Sequence, residues 1–182
     1  MNLIPREIAL RDGRKVILRS PVPQDAAADL RCMRTVFGET EFLLGSPEDV
    51  DDDVQAHAAR LLAAAEDPYG CLLLCADGSG EIIARLHGFV KPARKLCHRF
   101  RLGLCVRRAY WGQGIARAML ATAEETARRL GCLQMELEVM AHNARAIRLY
   151  EREGYRIAMV HPGAIRFPDG RMADEYLMMK YL

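Results

Sequence analysis

From Arg99 to Val106 the apolar residues Phe100, Leu102, Leu104 and Val106 fall on every second position, the period of a half-buried strand. The glycine-containing turn Trp111-Gly112-Gln113-Gly114 follows closely. Beyond it Ile115, Ala118, Met119, Thr122, Ala123, Thr126 and Leu130 recur at helical spacing. Arg117, Glu124, Glu125, Arg128 and Arg129 fall elsewhere, so the segment predicts an amphipathic helix ending at Gly131. The alternating period returns over Leu133, Met135, Leu137 and Val139, interleaved with Gln134, Glu136 and Glu138. That pattern predicts a strand with one apolar and one polar face. Asn143 is a good N-cap for a second helix, which carries Ala146, Ile147 and Tyr150 on one face and stops at Gly154.

Upstream, Lys15 to Arg19 reads as a first strand after the turn Asp12-Gly13, and Pro23 to Val36 as a helix. Ser46-Pro47-Glu48-Asp49 predicts the start of another helix, running to about Glu66 before Asp67-Pro68. Cys71 to Ala76 and Glu81 to Val90, joined at Asp77-Gly78-Ser79-Gly80, predict a hairpin. After Tyr155, a turn around Pro168-Asp169-Gly170 joins two last strands, the second near Glu175 to Tyr181. No linker, repeat or low-complexity stretch interrupts the 182 residues, which are read as one domain, 1–182.

The turn between the first of these strands and its helix has the makings of an anion cradle. Gly112 and Gly114 permit a tight turn and close backbone approach, and the first amides of the next helix have no internal acceptor. A phosphate is the expected guest. Neither the Walker loop nor the dinucleotide fingerprint is present, so two motifs taken together identify the guest. Trp111-Gly112-Gln113-Gly114-Ile115-Ala116 and the run Asn143-Ala144-Arg145-Ala146-Ile147-Arg148-Leu149-Tyr150-Glu151-Arg152-Glu153-Gly154-Tyr155 resemble the two signatures of the GCN5-related N-acetyltransferase (GNAT) superfamily. The likeness extends more loosely from about Val16 to the C-terminus. One departure is Trp111, where the signature has Gln or Arg; it loses a polar side chain and leaves the backbone cradle intact.

The resemblance implies an α/β fold with a mixed, mostly antiparallel central sheet, a splayed strand pair and about four flanking helices. It implies acetyl-CoA as co-substrate, transferred to a primary amine, most simply of a small molecule, by direct attack on the thioester. The backbone of Leu104, Cys105 and Val106 would hold the pantetheine arm, and an amide of Cys105 or Val106 would polarise the carbonyl. The amides of Trp111, Gly112, Gln113, Gly114, Ile115, Ala116 and Arg117 would take the pyrophosphate. Arg117 is also read as a phosphate partner or a solvated helix arginine, and Asn143 as a helix cap that also contacts pantetheine. Tyr150, at the superfamily's Leu-Tyr position, is the expected general acid.

The base is less plainly written. Where related sequences carry a glutamate on the strand before the cradle, this chain has Arg101-Leu102-Gly103. Glu138 and Glu41 are the candidates, with Glu39 beside them, while His98 and His142 border the same elements. Acceptor choice is expected from Thr40 to Leu44 and from the Ile165 to Asp174 hairpin. The acidic run Glu48, Asp49, Asp51, Asp52 and Asp53 is read as a solvated helix start. The alternative to an enzyme is a coenzyme A-binding regulatory or interaction module that has lost catalysis.

Composition narrows the partners. Lys+Arg 26 against Asp+Glu 24 leaves a net charge of +2, too small for a dedicated nucleic-acid surface. No apolar run approaches the roughly 20 residues that span a bilayer, and Met-Asn-Leu-Ile-Pro-Arg has no signal-peptide core, so a cytoplasmic location with no membrane partner is expected. The six cysteines sit in or beside apolar or helical segments without Cys-x-x-Cys spacing, which predicts buried reduced thiols and no metal. A homodimer is compatible with the resemblance, though no residue marks its interface.

Overall fold

The computed structural model describes residues 3–182. Met1 and Asn2, at the head of the segment read for a signal-peptide core, lie outside the described residues. Among the described residues, eight strands form one sheet in the order β1-β2-β3-β4-β5-β6-β8-β7. These are β1 (Arg6–Ala9), β2 (Lys15–Arg19), β3 (Gly70–Ala76), β4 (Ile82–Val90), β5 (Arg99–Val106), β6 (Gln134–Met140), β7 (Arg156–Arg166) and β8 (Met172–Tyr181). Every pairing is antiparallel except β5 with β6. The helices are α1 (Ala26–Glu39), α2 (Val54–Glu66), α3 (Ile115–Arg129) and α4 (Ala144–Arg152).

Each face of the sheet has its own core. On one, Ile115, Met119, Ala123 and Ala127 of α3 pack with Phe100, Leu102, Met135, Leu137, Tyr150 and Met178. On the other, Ala26, Cys32 and Val36 of α1 and Leu61 of α2 cover Leu72, Leu74 and Ile82. Gly88 admits the ring of Phe100 so closely that a Cβ there would lie 2.3 Å from it. A buried polar contact ties α1 to α2 and β4: Asp29 Oδ2 lies 2.9 Å from His57 Nε2 and 3.3 Å from Arg85 Nη1.

Several boundaries differ from those read in the sequence. A short strand, β1, precedes the expected first one and pairs with it. Pro23–Asp25 is a 3-10 turn before α1. The expected helix from Ser46 is broken: Pro47–Asp49 forms a separate 3-10 turn, and α2 starts only at Val54, capped by Asp53 accepting from the Ala56 amide at 2.9 Å. Ser46 and Asp49 satisfy each other locally, which ends that first turn before it can propagate. The acidic run therefore caps and pairs, with Asp51 on Arg60 and Asp52 on Arg34, rather than filling the first turn of α2.

β6 departs more. Leu133, expected on its apolar face, precedes the strand and is 63% exposed. Glu136, expected on the polar face, is 1% exposed. Its carboxylate receives Arg99 Nε at 2.6 Å and Arg99 Nη2 at 2.7 Å, with Gln134 as a further donor. A bidentate guanidinium is the partner that lets a carboxylate lie buried. Cys32, Cys71, Cys75 and Cys132 are buried free thiols and Cys105 is half-buried, but Cys97, expected to be buried, is exposed on the β4–β5 connection. No described helix is long and apolar enough to cross a membrane.

Candidate active site

The site begins where β5 and β6 part. They pair in parallel only from Arg99↔Gln134 to Arg101↔Glu136, and β5 continues to Val106 with β4 alone beside it. The Arg107 amide donates to the Ile83 carbonyl at 2.8 Å, which sets the phase of the β4–β5 ladder. In this register the odd-numbered β5 residues then bond to β4, while the even-numbered ones turn N–H and C=O toward β6. Past Arg101 those groups belong to Leu102, Leu104 and Val106, and no strand receives them. The resemblance gives Cys105 a share in the coenzyme contact and an oxyanion amide; the ladder instead turns its backbone toward Arg85 of β4. On the facing strand, Ala141 N–H to Asp174 C=O at 2.8 Å sets the β6–β8 phase, so Glu138 and Met140 turn their backbone groups to the same opening.

The chain then leaves β5 through a 3-10 turn, Arg108–Tyr110, into the glycines. Gly112 has φ +78° and Gly114 φ +93°, left-handed values at which a side chain would strain the backbone. Gly114 caps α3, and its carbonyl takes the Ala118 amide at 3.1 Å. The amides of Ile115, Ala116 and Arg117 thus have no acceptor inside the helix. The Trp111 amide, expected among the donors, already bonds the Arg108 carbonyl at 3.1 Å, so the free row starts at Gly112.

Trp111 has a role of its own. Its Nε1 donates to the Val106 carbonyl at 2.7 Å, pinning the turn to the end of β5. The guanidinium groups of Arg145 and Arg108 lie over its ring, 4.7 and 5.5 Å from the centroid. The Arg145 Nη2 lies 3.8 Å from where a Gly112 Cβ would stand, which puts a cation at the mouth of the turn. Arg117, the arginine read as a phosphate partner, instead reaches Glu153 at 3.3 Å. The motif position of Arg145 is visible in sequence, but its contact with Trp111 is tertiary.

α4 follows β6, and its Tyr150 belongs to the core cluster that includes Leu102 and against which Leu104 and Val106 of β5 pack. Asn143 caps α4, accepting the Ala146 amide at 3.2 Å. Tyr150 is 7% exposed, with its ring 5.8 Å from that of Tyr155. Burial, with the Cys105 thiol nearby, pushes the Tyr150 phenol up to about 12. Burial likewise pushes the Cys105 thiol up to about 11, so both groups keep their protons at neutral pH.

The carboxylates read as bases are engaged. Glu138 forms an ion pair with Arg101, so the arginine in the expected acid position neutralises the next candidate along the sheet. Glu39 Oε2 accepts the Arg108 amide at 2.6 Å and its carbonyl accepts the Arg108 guanidinium, which ties the end of α1 to the turn before the cradle. Glu41 faces Arg171 at 3.3 Å and His142 at 3.6 Å. His98 serves through its backbone, its carbonyl taking the Leu133 amide at 2.8 Å where β6 begins.

Glu175 has no motif to single it out in the sequence. It stands opposite Met140 of β6 and His161 of β7. Burial and the nearby Glu138 raise its carboxyl above the ordinary range, with His161 and Arg101 opposing. Because it pairs with Met140, two residues along from Glu138, Glu175 lies on the same face of the sheet as Glu138.

A family model described as the Acetyltransferase (GNAT) family matches residues 33–155. An uncharacterized N-acetyltransferase of Bacillus subtilis, YdgE, is 32% identical over 84 residues, covering 46% of this chain and 54% of that protein. The match thus spans about half the length of that curated relative. An acetyltransferase of the GNAT family from Streptococcus pneumoniae superposes with a TM-score of 0.85 at 23% identity, covering 92% of this chain and 99% of the other. The yncA protein of Salmonella typhimurium, solved with its cofactor acetyl-CoA, superposes with a TM-score of 0.73 at 21% identity, covering 92% and 94%. At these identities the two superpositions speak to the fold. With the family model spanning more than half of its length, the chain belongs to the GNAT family of acetyltransferases.

Proposed function

We propose that the chain is an acetyl-CoA-dependent N-acetyltransferase that passes the acetyl group to a primary amine of a small molecule by direct attack on the thioester. The observation that carries this conclusion is the convergence of an unpaired β5 edge, a row of free amides at the start of α3 and a protonated Tyr150. The family membership and the acetyl-CoA held by the Salmonella protein support it. The cradle fits such a guest, because both glycines lack any Cβ at the turn and Arg145 stands at its mouth.

Acetyl-CoA supplies an activated acetyl group on a thiolate that leaves. The amides of Gly112 through Arg117 hold its pyrophosphate, with the dipole of α3 adding a modest favourable contribution. The backbone groups of Leu104 and the Val106 amide take the pantetheine arm as an added strand would, while Asn143 borders that arm and caps α4. An amide on this edge polarises the thioester carbonyl, and that of Val106 replaces the Cys105 amide expected from sequence. A phenol pushed up to about 12 holds its proton more tightly than a thiol of about 8.5, so Tyr150 acts chiefly as a hydrogen-bond donor to the leaving sulfur. A protonated acceptor must lose a proton before it attacks. Glu138 and Glu175, on the β6 side of the opening, receive it through water, and the second proton, lost from the nitrogen as the amide forms and the thiolate departs, leaves by the same route to solvent.

The test is thiol release from acetyl-CoA with a panel of small amines. Amine-dependent release supports the enzyme. Coenzyme binding without release by any amine would instead support the regulatory module.

A further inference from the structure

Three segments meet at the far end of β6 around a cluster outside the residues assigned above to the coenzyme. The rings of Phe42, after α1, and His142, in the β6–α4 turn, lie 5.1 Å apart, and Phe167 at the tip of the β7–β8 hairpin is 6.2 Å from His142. Glu41 faces His142 Nε2 at 3.6 Å and Arg171 Nη2 at 3.3 Å. The Arg171 guanidinium stands over the Phe167 ring at 4.7 Å, with its Nε 2.7 Å from Asp169. One cation of the chain is thus held by an aromatic face and two carboxylates. Those are the groups that attract an organic cation, and a neutral ligand gains little from them.

The cluster is close to the opening. His142 follows the end of β6 by two residues and directly precedes Asn143, the cap of α4. Resting on the acetyltransferase conclusion, we propose that Glu41, Phe42, His142 and Phe167 form an acceptor subsite for a cationic amine, which Arg171 occupies in the free protein as a displaceable internal competitor. The group held there is not the one acetylated, because an ammonium in contact with a carboxylate keeps its proton. The acceptor is therefore a diamine or polyamine, with one ammonium held by the cluster and a second amine presented to the opening.

Both members of the Glu41–Arg171 pair are well exposed, their side chains 44% and 61%. An exposed pair holds weakly, so removing the internal competitor should change affinity by about two- to fivefold.

The experiment is calorimetric titration of spermidine into protein saturated with coenzyme A, with n-butylamine as the single-charge probe. Arg171→Ala should bind spermidine about two- to fivefold more tightly than the native chain, and Glu41→Gln about two- to fivefold more weakly, on the order of one lost exposed charged partner. n-Butylamine, whose single ammonium meets the same cluster, should shift in the same direction in each variant while binding more weakly than spermidine. Spermidine that binds neither protein, weaker binding by Arg171→Ala, or no response to Glu41→Gln would each overturn the subsite. Acetyl-CoA binding is measured alongside. Its absence removes the acetyltransferase conclusion and the subsite together, whereas its presence without the spermidine responses removes the subsite alone.

Discussion

Replacing Arg99 by alanine would test what holds β5 and β6 together just before they part. Arg99 donates both bonds of a bidentate pair to Glu136, whose side chain is 2% exposed, and Gln134 is the other donor. Breaking a buried pair by removing one partner typically costs about 3–5 kcal/mol, because the remaining charge is stranded. The Arg99 side chain is 34% exposed, so water can reach the space it leaves, and about 2–3 kcal/mol is the discounted expectation. At about 2–4 °C per kcal/mol for a domain of this size, the melting temperature should fall by roughly 4–12 °C.

The pH dependence gives an independent check. Burial pushes the Glu136 carboxyl up, but its bonds from Arg99 and Gln134 and the charge of Arg99 outweigh burial and hold it below the ordinary value. A depressed carboxylate adds stability that is present above its unfolded value and lost as pH falls through the folded one. In Arg99→Ala burial dominates and protonation relieves the stranded charge. The stability gap between native and variant should therefore narrow as pH falls from about 7 toward about 4. The double change Arg99→Ala with Glu136→Leu should recover much of the loss, since no charge is stranded. Urea melts across this range check both; a gap constant with pH, together with a double variant no better than the single, would refute the reasoning.

Three further outcomes are expected. Tyr150→Phe should lower turnover on the order of 100-fold while leaving acetyl-CoA affinity nearly unchanged, and no alkaline limb assignable to Tyr150 should appear below about 11, its phenol being pushed up to about 12; steady-state rates against pH check this. Gly88→Ala should destabilise by about 1–3 kcal/mol through overpacking against Phe100, since the added Cβ would lie 2.3 Å from that ring; thermal melts check it, and an unchanged midpoint would contradict the packing. Cys97 should react first with an aromatic disulfide reagent, because it is exposed while burial pushes the Cys71 thiol up to about 11 and the Cys75 thiol up to about 12; mass mapping after brief labelling identifies the site.

Much of the architecture is legible in the sequence because periodicity and punctuation agree. Phe100 to Val106, Gly112-x-Gly114 and Asn143 to Gly154 each carry a local signal, and local signals place elements well. What local pattern cannot supply is register. Glu136 reads as solvated until β6 is laid beside β5 and Arg99 comes within reach. The phase that turns Cys105 away from the opening and Leu104 toward it depends on a bond from Arg107 to Ile83, a residue on the neighbouring strand. Arg101 stands out in sequence as a departure, yet only the parallel pairing reveals that it neutralises Glu138. The meeting of Glu41 with Arg171 joins residues 130 positions apart and has no sequence signature.

The central claim is that the cradle after β5 holds a coenzyme by its backbone. The most direct measurement is the melting temperature of the native chain and of Gly114→Val with increasing acetyl-CoA. Gly114 has φ +93°, and a Cβ placed there would meet nothing within 4 Å, so a β-branched residue disturbs the turn's conformation rather than clashing with a neighbour. The native chain should gain about 2.7 kcal/mol when free acetyl-CoA is about 100 times its dissociation constant, with a matching rise in midpoint. Gly114→Val should melt cooperatively yet gain much less at the same concentration. A native chain indifferent to acetyl-CoA, or a Gly114→Val variant stabilised as fully as the native one, would contradict the claim.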